Sequence, residues 1–456
     1  MALSRRFDPY LQGSPITVMV RAISERALGA EALDALFERT ADRQYTRTLL
    51  FSSLVGLMSD VVLGISPSVR AAYQDSAESL PVSLASVYNK LNGLETDVSA
   101  ELVRHSANQL GPVVRRMRGA APDLLPGYQV RILDGNHLAG TEHRIEELRT
   151  IGAAALPGQS LVVLDPALMM AIDVFPCEDG HAQERSLLKD VLPTIQPNEV
   201  WIDDRNFCTT MFLFGIRRQK AYFLVRQHAA TLHWKLAGKR KYRGRTETGE
   251  VYEQTILLDN PQTGETLVAR RITVELDEPT RDGESEIHLL TNLPAAIRAK
   301  RVARLYAKRW SIETMFLELT TALVCEINTL GYPRAALFGF CLALVAYNVV
   351  SLVQAALRAV HGHQKVEEEL SWYYVCMHVG KVYEGMMIAV PDRCWTEFRR
   401  MSDREFAQFL KNLATNINMA RFRKHRRGPK RPPPKRSSGA KTKHVSTARV
   451  LAQRAP

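Results

Sequence analysis

The chain has 456 residues, with 60 Lys and Arg against 48 Asp and Glu, a net charge of +12. At 46% hydrophobic and 24% charged it has a globular composition, which excludes a disordered chain, a collagen and a disulfide miniprotein. At ~100–200 residues per domain the length predicts two to four domains.

The excess charge belongs to one end. Residues 421–456 hold thirteen Lys and Arg and no Asp or Glu, so residues 1–420 sit near −1. Such a tail attracts a polyanion through counterion release, and nucleic acid is the partner it favours. The six cysteines are scattered without a CxxC pair, which predicts reduced thiols and no zinc knuckle. The first residues, MALSRRFDPYLQGSP, lack the apolar core of a signal peptide, so a cytoplasmic location is expected.

In chain order, residues 15–120 read as helical, with apolar-periodic runs such as TRTLLFSSLVGLMSDVVLG. Residues 83–93 predict a small helix whose polar face, Ser86, Asn89 and Lys90, suits a DNA groove, although an ordinary surface helix explains it better. Past Pro122 the pattern changes. Strands are expected at 128–133, 161–164, 169–175, 199–203 and 221–225, with helices at 181–192 and from Asn206 to about 218. The order β-β-β-α-β-α-β is then interrupted. Residues 229–293 are rich in Thr, Gly and β-branched side chains and read as a β-rich insertion. Pro294 then opens a long helix, IRAKRVARLYAKRWSIETMFLELTTAL.

Residues 335–357 carry no charge and are long enough to span a bilayer. Asn348, Ser351 and Gln354 within the stretch, and Arg334 and Arg358 beside it, favour a buried core helix, so no membrane partner is expected. The expected division is a helical DNA-binding region (1–120), an α/β core in two parts (121–228 and 294–400), the insertion (229–293), and a C-terminal helix with basic tail (401–456).

Three acids stand out by placement: Asp134 after the first strand, Asp204 at the close of the fourth, and Glu313 on the helix after the insertion. Strand ends gather side chains at one edge of a sheet, and a packed helix can add a third. Three carboxylates make a hard oxygen site suited to two Mg²⁺ ions. Spacing leaves open whether Asp203 or Asp204 enters the site, because neighbours on a strand face opposite sides. On the helix, Tyr306, Arg309, Glu313 and Thr320 lie within ~60° of one another at ~100° per residue. That face offers a ring, a guanidinium fork for phosphate and a metal-binding carboxylate. By itself it also fits an Arg309–Glu313 pair on a solvated helix.

Tyr306-x-x-Arg309-x-x-x-Glu313, with Trp310 and Ile312 beside it, resembles the YREK signature of insertion-sequence DDE transposases of the insertion-sequence-4-like group. Asp134-Gly135-Asn136 is similar to that family's first-strand motif, and Asp204-Arg205-Asn206-Phe207 to its Asp-Arg-x-Phe motif. The resemblance covers about residues 120–360 and chooses Asp204 over Asp203. It implies an α/β fold with an RNase H-like core, a mixed β-sheet flanked by helices, interrupted by the insertion and set between helical N- and C-terminal regions. It also implies a Mg²⁺-dependent transposase, with Mn²⁺ as the alternative ion. Asp134, Asp204 and Glu313 would be the catalytic metal ligands, and Tyr306 and Arg309 the DNA contacts. The implied partners are double-stranded DNA, as terminal inverted repeats and target, and a second copy in the synapse.

One position departs from the signature: Thr320 stands where its final Lys belongs. That keeps a second expectation in view, a catalytically weakened, element-derived DNA-binding protein that blocks transposition. Trp234 is a candidate base-stacking ring but reads better as a core residue of the insertion. His181 and Glu184 read as surface or supporting residues near the site.

Overall fold

The computed structural model describes residues 4–44, 48–78, 80–228, 232–280, 283–425 and 443–453. Most of the basic run from 421 onward therefore lies outside the described residues.

Ten strands form one sheet. The first five are β1 (Gln129–His137), β2 (Gln159–Asp165), β3 (Met170–Cys177), β4 (Glu199–Asp203) and β5 (Tyr222–Arg226). They lie in the order β3-β2-β1-β4-β5. β2 runs antiparallel to β1 and β3, whereas β1, β4 and β5 are parallel. This is the mixed sheet of an RNase H-like core. β2, QSLVVLD, is buried along its whole length, as a central strand covered on both faces should be.

The β-rich segment is not a separate body. Its strands are β6 (His233–Leu236), β7 (Lys241–Thr246), β8 (Gly249–Asp259), β9 (Thr266–Leu276) and β10 (Glu286–Thr291). β10 pairs antiparallel with β5, with Leu289 opposite Arg226, so the core sheet continues as β5-β10-β9-β8-β6, and β7 pairs with β8.

Alternation along the strands sorts the two faces. Ile132, Ile202 and Leu224 point into one core, and Leu133, Trp201, Phe223 and Val225 into the other. The helices that matter here are α1 (Thr96–Met117), α2 (Thr210–Arg218), α3 (Ala299–Tyr306), α4 (Trp310–Ala322) and α5 (Pro333–His361). α4 lays Ile312, Met315 and Leu319, a helical spacing of three and four, onto the first core. α2 lays Phe212, Leu213 and Ile216 onto the second.

α5 contains the uncharged stretch. Pro333 sits in its first turn, and Gly362, at φ +89°, ends it. It is the one helix among the described residues long and apolar enough to cross a membrane, and it is buried within the protein. Two of its polar side chains are tied to neighbouring elements. Asn348 donates to Ser106 Oγ (2.9 Å) and the Ala171 carbonyl (2.8 Å) and accepts from the Ala171 amide (2.9 Å). Arg358 Nε donates to the Gly119 carbonyl at 2.8 Å.

Several local expectations need correction. The first strand runs on to His137, so Asp134 lies inside it; only the pairing with β4 stops at Leu133. Residues 184–194 form short 3₁₀ and α turns instead of one helix, because Pro193 interrupts the run. Thr209, not Asn206, caps the next helix. Pro294 precedes a turn, and α3 begins at Ala299. The long helix is broken by a 3₁₀ turn at Ala307–Arg309. Within the C-terminal region, residues 444–452 dock on the body of the protein. His444–Ser446 pairs parallel with Ala154–Leu156, and Thr447–Ala452 forms a helix whose Arg449 Nε donates to Asp179 at 2.8 Å.

Candidate active site

The parallel strands β1, β4 and β5 end together. Leu133 is paired with Asp203, and both face the second core. The next residue on each strand, Asp134 and Asp204, turns to the other face, where α4 packs. Asp203 is fully buried, and neither of its carboxylate oxygens has a hydrogen-bond partner. Burial, then the nearby Asp134 and Asp204 charges, hold its pKa well above the usual carboxylate range, with Arg309 opposing. Its charged form is thus disfavoured beneath the site.

α4 and the turn before it supply the rest. Arg309 Nη1 donates to Asp134 Oδ2 at 2.9 Å, and Nη2 to Glu313 Oε1 at 2.6 Å. One guanidinium thus bridges an acid from the sheet and an acid from the helix. Asp134 also accepts from the Gly135 amide at 3.0 Å. Burial pushes Asp134 up to about 6. Arg309 and the Gly135 amide oppose that shift, while Asp204 and Glu313 add to it. Burial works against the Arg309 charge, but Asp134, Tyr306, Asp204 and Glu313 more than offset it, so its pKa is raised. Tyr306 is largely buried beside Arg309, and burial raises its hydroxyl pKa. Asp204 makes no side-chain hydrogen bond or ion pair among the described residues.

The five predicted residues therefore converge on one end of the sheet. Thr320 faces outward and bonds back to the carbonyls of Phe316 (3.2 Å) and Leu317 (3.0 Å). Trp234 is half-buried against the second core, with the Arg271 guanidinium 5.3 Å from its ring centre. His181 pairs with His444 at 2.7 Å. A cavity of about 930 Å³ between the N-terminal helices and α5 contains none of the five.

The three acids are the right donors for a hard divalent cation. Among the described residues no three metal-binding side chains are already gathered for one. Arg309 takes up the oxygens of Asp134 and Glu313, and its charge does locally what a cation would do.

Residues 125–349 match the family model described as transposase DDE domain. That stretch is similar to the transposase DDE domain. Asp134, Asp204, Arg309 and Glu313 all fall inside the matched span. Among curated proteins none matches the chain. A solved structure, a piggyBac transposase synaptic complex with hairpin DNA, shares 11% identity over 87% of this chain and 86% of that one, at a TM-score of 0.39. That likeness is too slight to bear on the chemistry.

Two features of this site are not legible in the sequence. The first is why a glycine follows Asp134. A Cβ at Gly135 would lie 2.0 Å from Glu184 Oε1, so only glycine lets that carboxylate reach the strand. Glu184 also accepts from Asn206 of the Asp-Arg-Asn-Phe segment, and Arg185 Nε holds the Asn206 oxygen at 3.1 Å. Glu184 thereby ties the Asp134 strand to the Asp204 turn. The second feature is Arg226 at the end of β5, a plain strand-end arginine in the sequence.

Proposed function

We propose that this chain is the DNA transposase of an insertion sequence of the YREK group. It cuts at terminal inverted repeats and joins the freed 3′-hydroxyls to target DNA. The observation that carries the proposal is the arrangement of Asp134 and Asp204 on one face of adjacent strand ends, with Arg309 linking Asp134 to Glu313. DDE transposases generally use divalent metal ions. Asp134, Asp204 and Glu313 would hold two Mg²⁺ ions here. Such ions, when bound, activate water or a 3′-hydroxyl and stabilise the leaving oxygen.

The chain's own residues would do the following. Arg309 releases the two acids as DNA enters and turns its fork to a phosphate. Tyr306 packs beside Arg309 and limits its alternatives. The N-terminal helices read the inverted repeats, and two copies synapse the two ends.

The test is a labelled duplex from the DNA flanking the gene, incubated with purified protein in Mg²⁺ or in EDTA. Metal-dependent nicking at the element boundary, with joined products, is expected. Nicking that persists unchanged in Glu313→Gln would sink the assignment. One observation favours the binding-only reading: Thr320 stands where a cation is expected. Specific binding without nicking in either Mg²⁺ or Mn²⁺ would establish that reading.

A further inference from the structure

Strand register brings one more residue into the row of acids. Leu133, Asp203 and Val225 are paired neighbours across β1, β4 and β5. The residues that follow them, Asp134, Asp204 and Arg226, therefore come next along three parallel strands and share the α4 side. Leu224, two residues before Arg226, is buried in the same core as Ile132 and Ile202. Tyr306 feels both ends of the row, Asp204 acting on its hydroxyl with one sign and Arg226 with the other.

Arg226 is largely shielded and holds an ion pair with Glu284, from the loop between β9 and β10. Glu284 also takes Arg205, the residue after Asp204, with Nη1 to Oε1 at 3.4 Å. The loop fixes this acid. Its amide donates to Thr280 Oγ1 at 3.1 Å, and the Thr280 amide donates to its carbonyl at 2.9 Å. Two guanidiniums thus converge on one carboxylate beside the candidate catalytic acids. A pair of forks around an oxyanion is the donor set that suits a phosphate.

We propose that Arg226 and Arg205 form a binding site for a DNA backbone phosphate next to Asp204, and that Glu284 occupies this site in the free protein as a stand-in for the phosphate. The proposal rests on the DNA-cutting reading and adds a contact to it. Entry of DNA exchanges the Glu284 carboxylate for a phosphate, so the acid competes with every duplex and weak binders are turned away. The partly exposed ion pairs of Glu284 contribute little to folding, so its removal leaves the fold standing.

The test uses full-length wild type, Arg226→Gln, Arg226→Lys and Glu284→Gln with a labelled random-sequence duplex in EDTA. Binding is followed by anisotropy over a salt series, and thermal melts certify each variant as folded. A random duplex serves because phosphate contacts carry no sequence information. Arg226→Gln should bind roughly tenfold more weakly, as expected for a lost charge-assisted bond. Its log K against log salt slope should flatten by about 0.9, one phosphate's worth. Arg226→Lys should keep the slope while losing affinity, because the charge stays and the fork goes. Glu284→Gln should bind more tightly than wild type. Wild-type affinity and slope in Arg226→Gln, or no tightening in Glu284→Gln, would overturn the proposal and leave the DNA-cutting reading intact. A wild-type protein that binds no duplex would remove both.

Discussion

Two arginines sit at opposite ends of the same strands, each between two carboxylates. Arg131, near the start of β1, reaches Asp165 Oδ2 at 2.6 Å and Glu199 Oε1 at 2.8 Å. Gln129 Oε1 takes its Nη2 at 2.9 Å, and Trp201 Nε1 holds the second Glu199 oxygen at 3.0 Å. The cluster is buried and closed. Arg309, at the other end, reaches Asp134 and Glu313 at similar distances, but Glu313 is open to solvent and the Arg309 Nε atom has no partner. Asp204 beside it makes no side-chain hydrogen bond or ion pair among the described residues. An ion pair alone does not mark a site. Charge left unsatisfied at an accessible strand end does, because only there does an incoming group gain what the fold has withheld.

The contrast can be broken by mutation. The largest effect is expected for Asp134→Asn and Glu313→Gln, which should each lower metal-dependent nicking by roughly a thousandfold or more, as the loss of charge stabilisation at the reacting phosphate implies. Their thermal midpoints should stay close to wild type. Arg131→Ala should do the reverse. It leaves Asp165 and Glu199 buried without their cation and should cost about 3–5 kcal/mol of stability in urea unfolding. If Arg131→Ala folds as well as wild type, the contrast between a closed structural cluster and an open site fails.

Gly135→Ala should fall between them. The added methyl meets the Glu184 carboxylate, and overpacking of this kind costs about 1–3 kcal/mol. Nicking should drop with it, and a second change, Glu184→Ala, should restore part of the stability. Additive losses in the double variant would show that Glu184 is not what excludes a side chain there.

The smallest effect compares two acids on one helix. Glu313 faces the site, whereas Glu318 is held up to about 7 by burial, with Lys424 opposing and Glu367 adding. A raised carboxylate pKa means that the folded state favours the protonated form. The stability this contributes is full below the ordinary value of 4.5 and is lost as pH rises through about 7. Glu318→Gln should therefore gain stability relative to wild type across that window and match it at lower pH. A pH-independent difference would contradict the assignment.

Much of this was readable before any coordinates. Strand-end placement and one helical face single out the acids, Tyr306 and Arg309, but it is the resemblance to the DDE transposases that chooses Asp204 over Asp203 and gives the helix face its role. The β-β-β-α-β-α-β order was carried by local alternation. What could not be read depends on distant pairing. The insertion fuses with the core because Leu289 pairs with Arg226 across the four intervening strands, and no local pattern encodes that choice. The same pairing hides the value of Arg226, which only register places beside Asp204. The C-terminal segment looked like part of a basic tail. Its docking rests on the pairing of His444–Ser446 with Ala154–Leu156 and on Val445, Val450 and Leu451 packing there, far away in sequence. The 3₁₀ turn at Ala307–Arg309 also went unseen, because YAKRW is a good helical sequence; the turn lets Arg309 contact both Asp134 and Glu313.

The central claim is that the acids on the α4 face of the strand ends perform the chemistry, and it meets its sharpest test at two adjacent residues. Asp204→Asn and Asp203→Asn should be compared on the same flanking duplex in Mg²⁺. The account predicts that Asp204→Asn abolishes nicking, whereas Asp203→Asn, which changes a buried side chain on the second-core face, keeps it. Nicking lost in Asp203→Asn and retained in Asp204→Asn would contradict the account and place the reacting phosphate on the other face of the sheet.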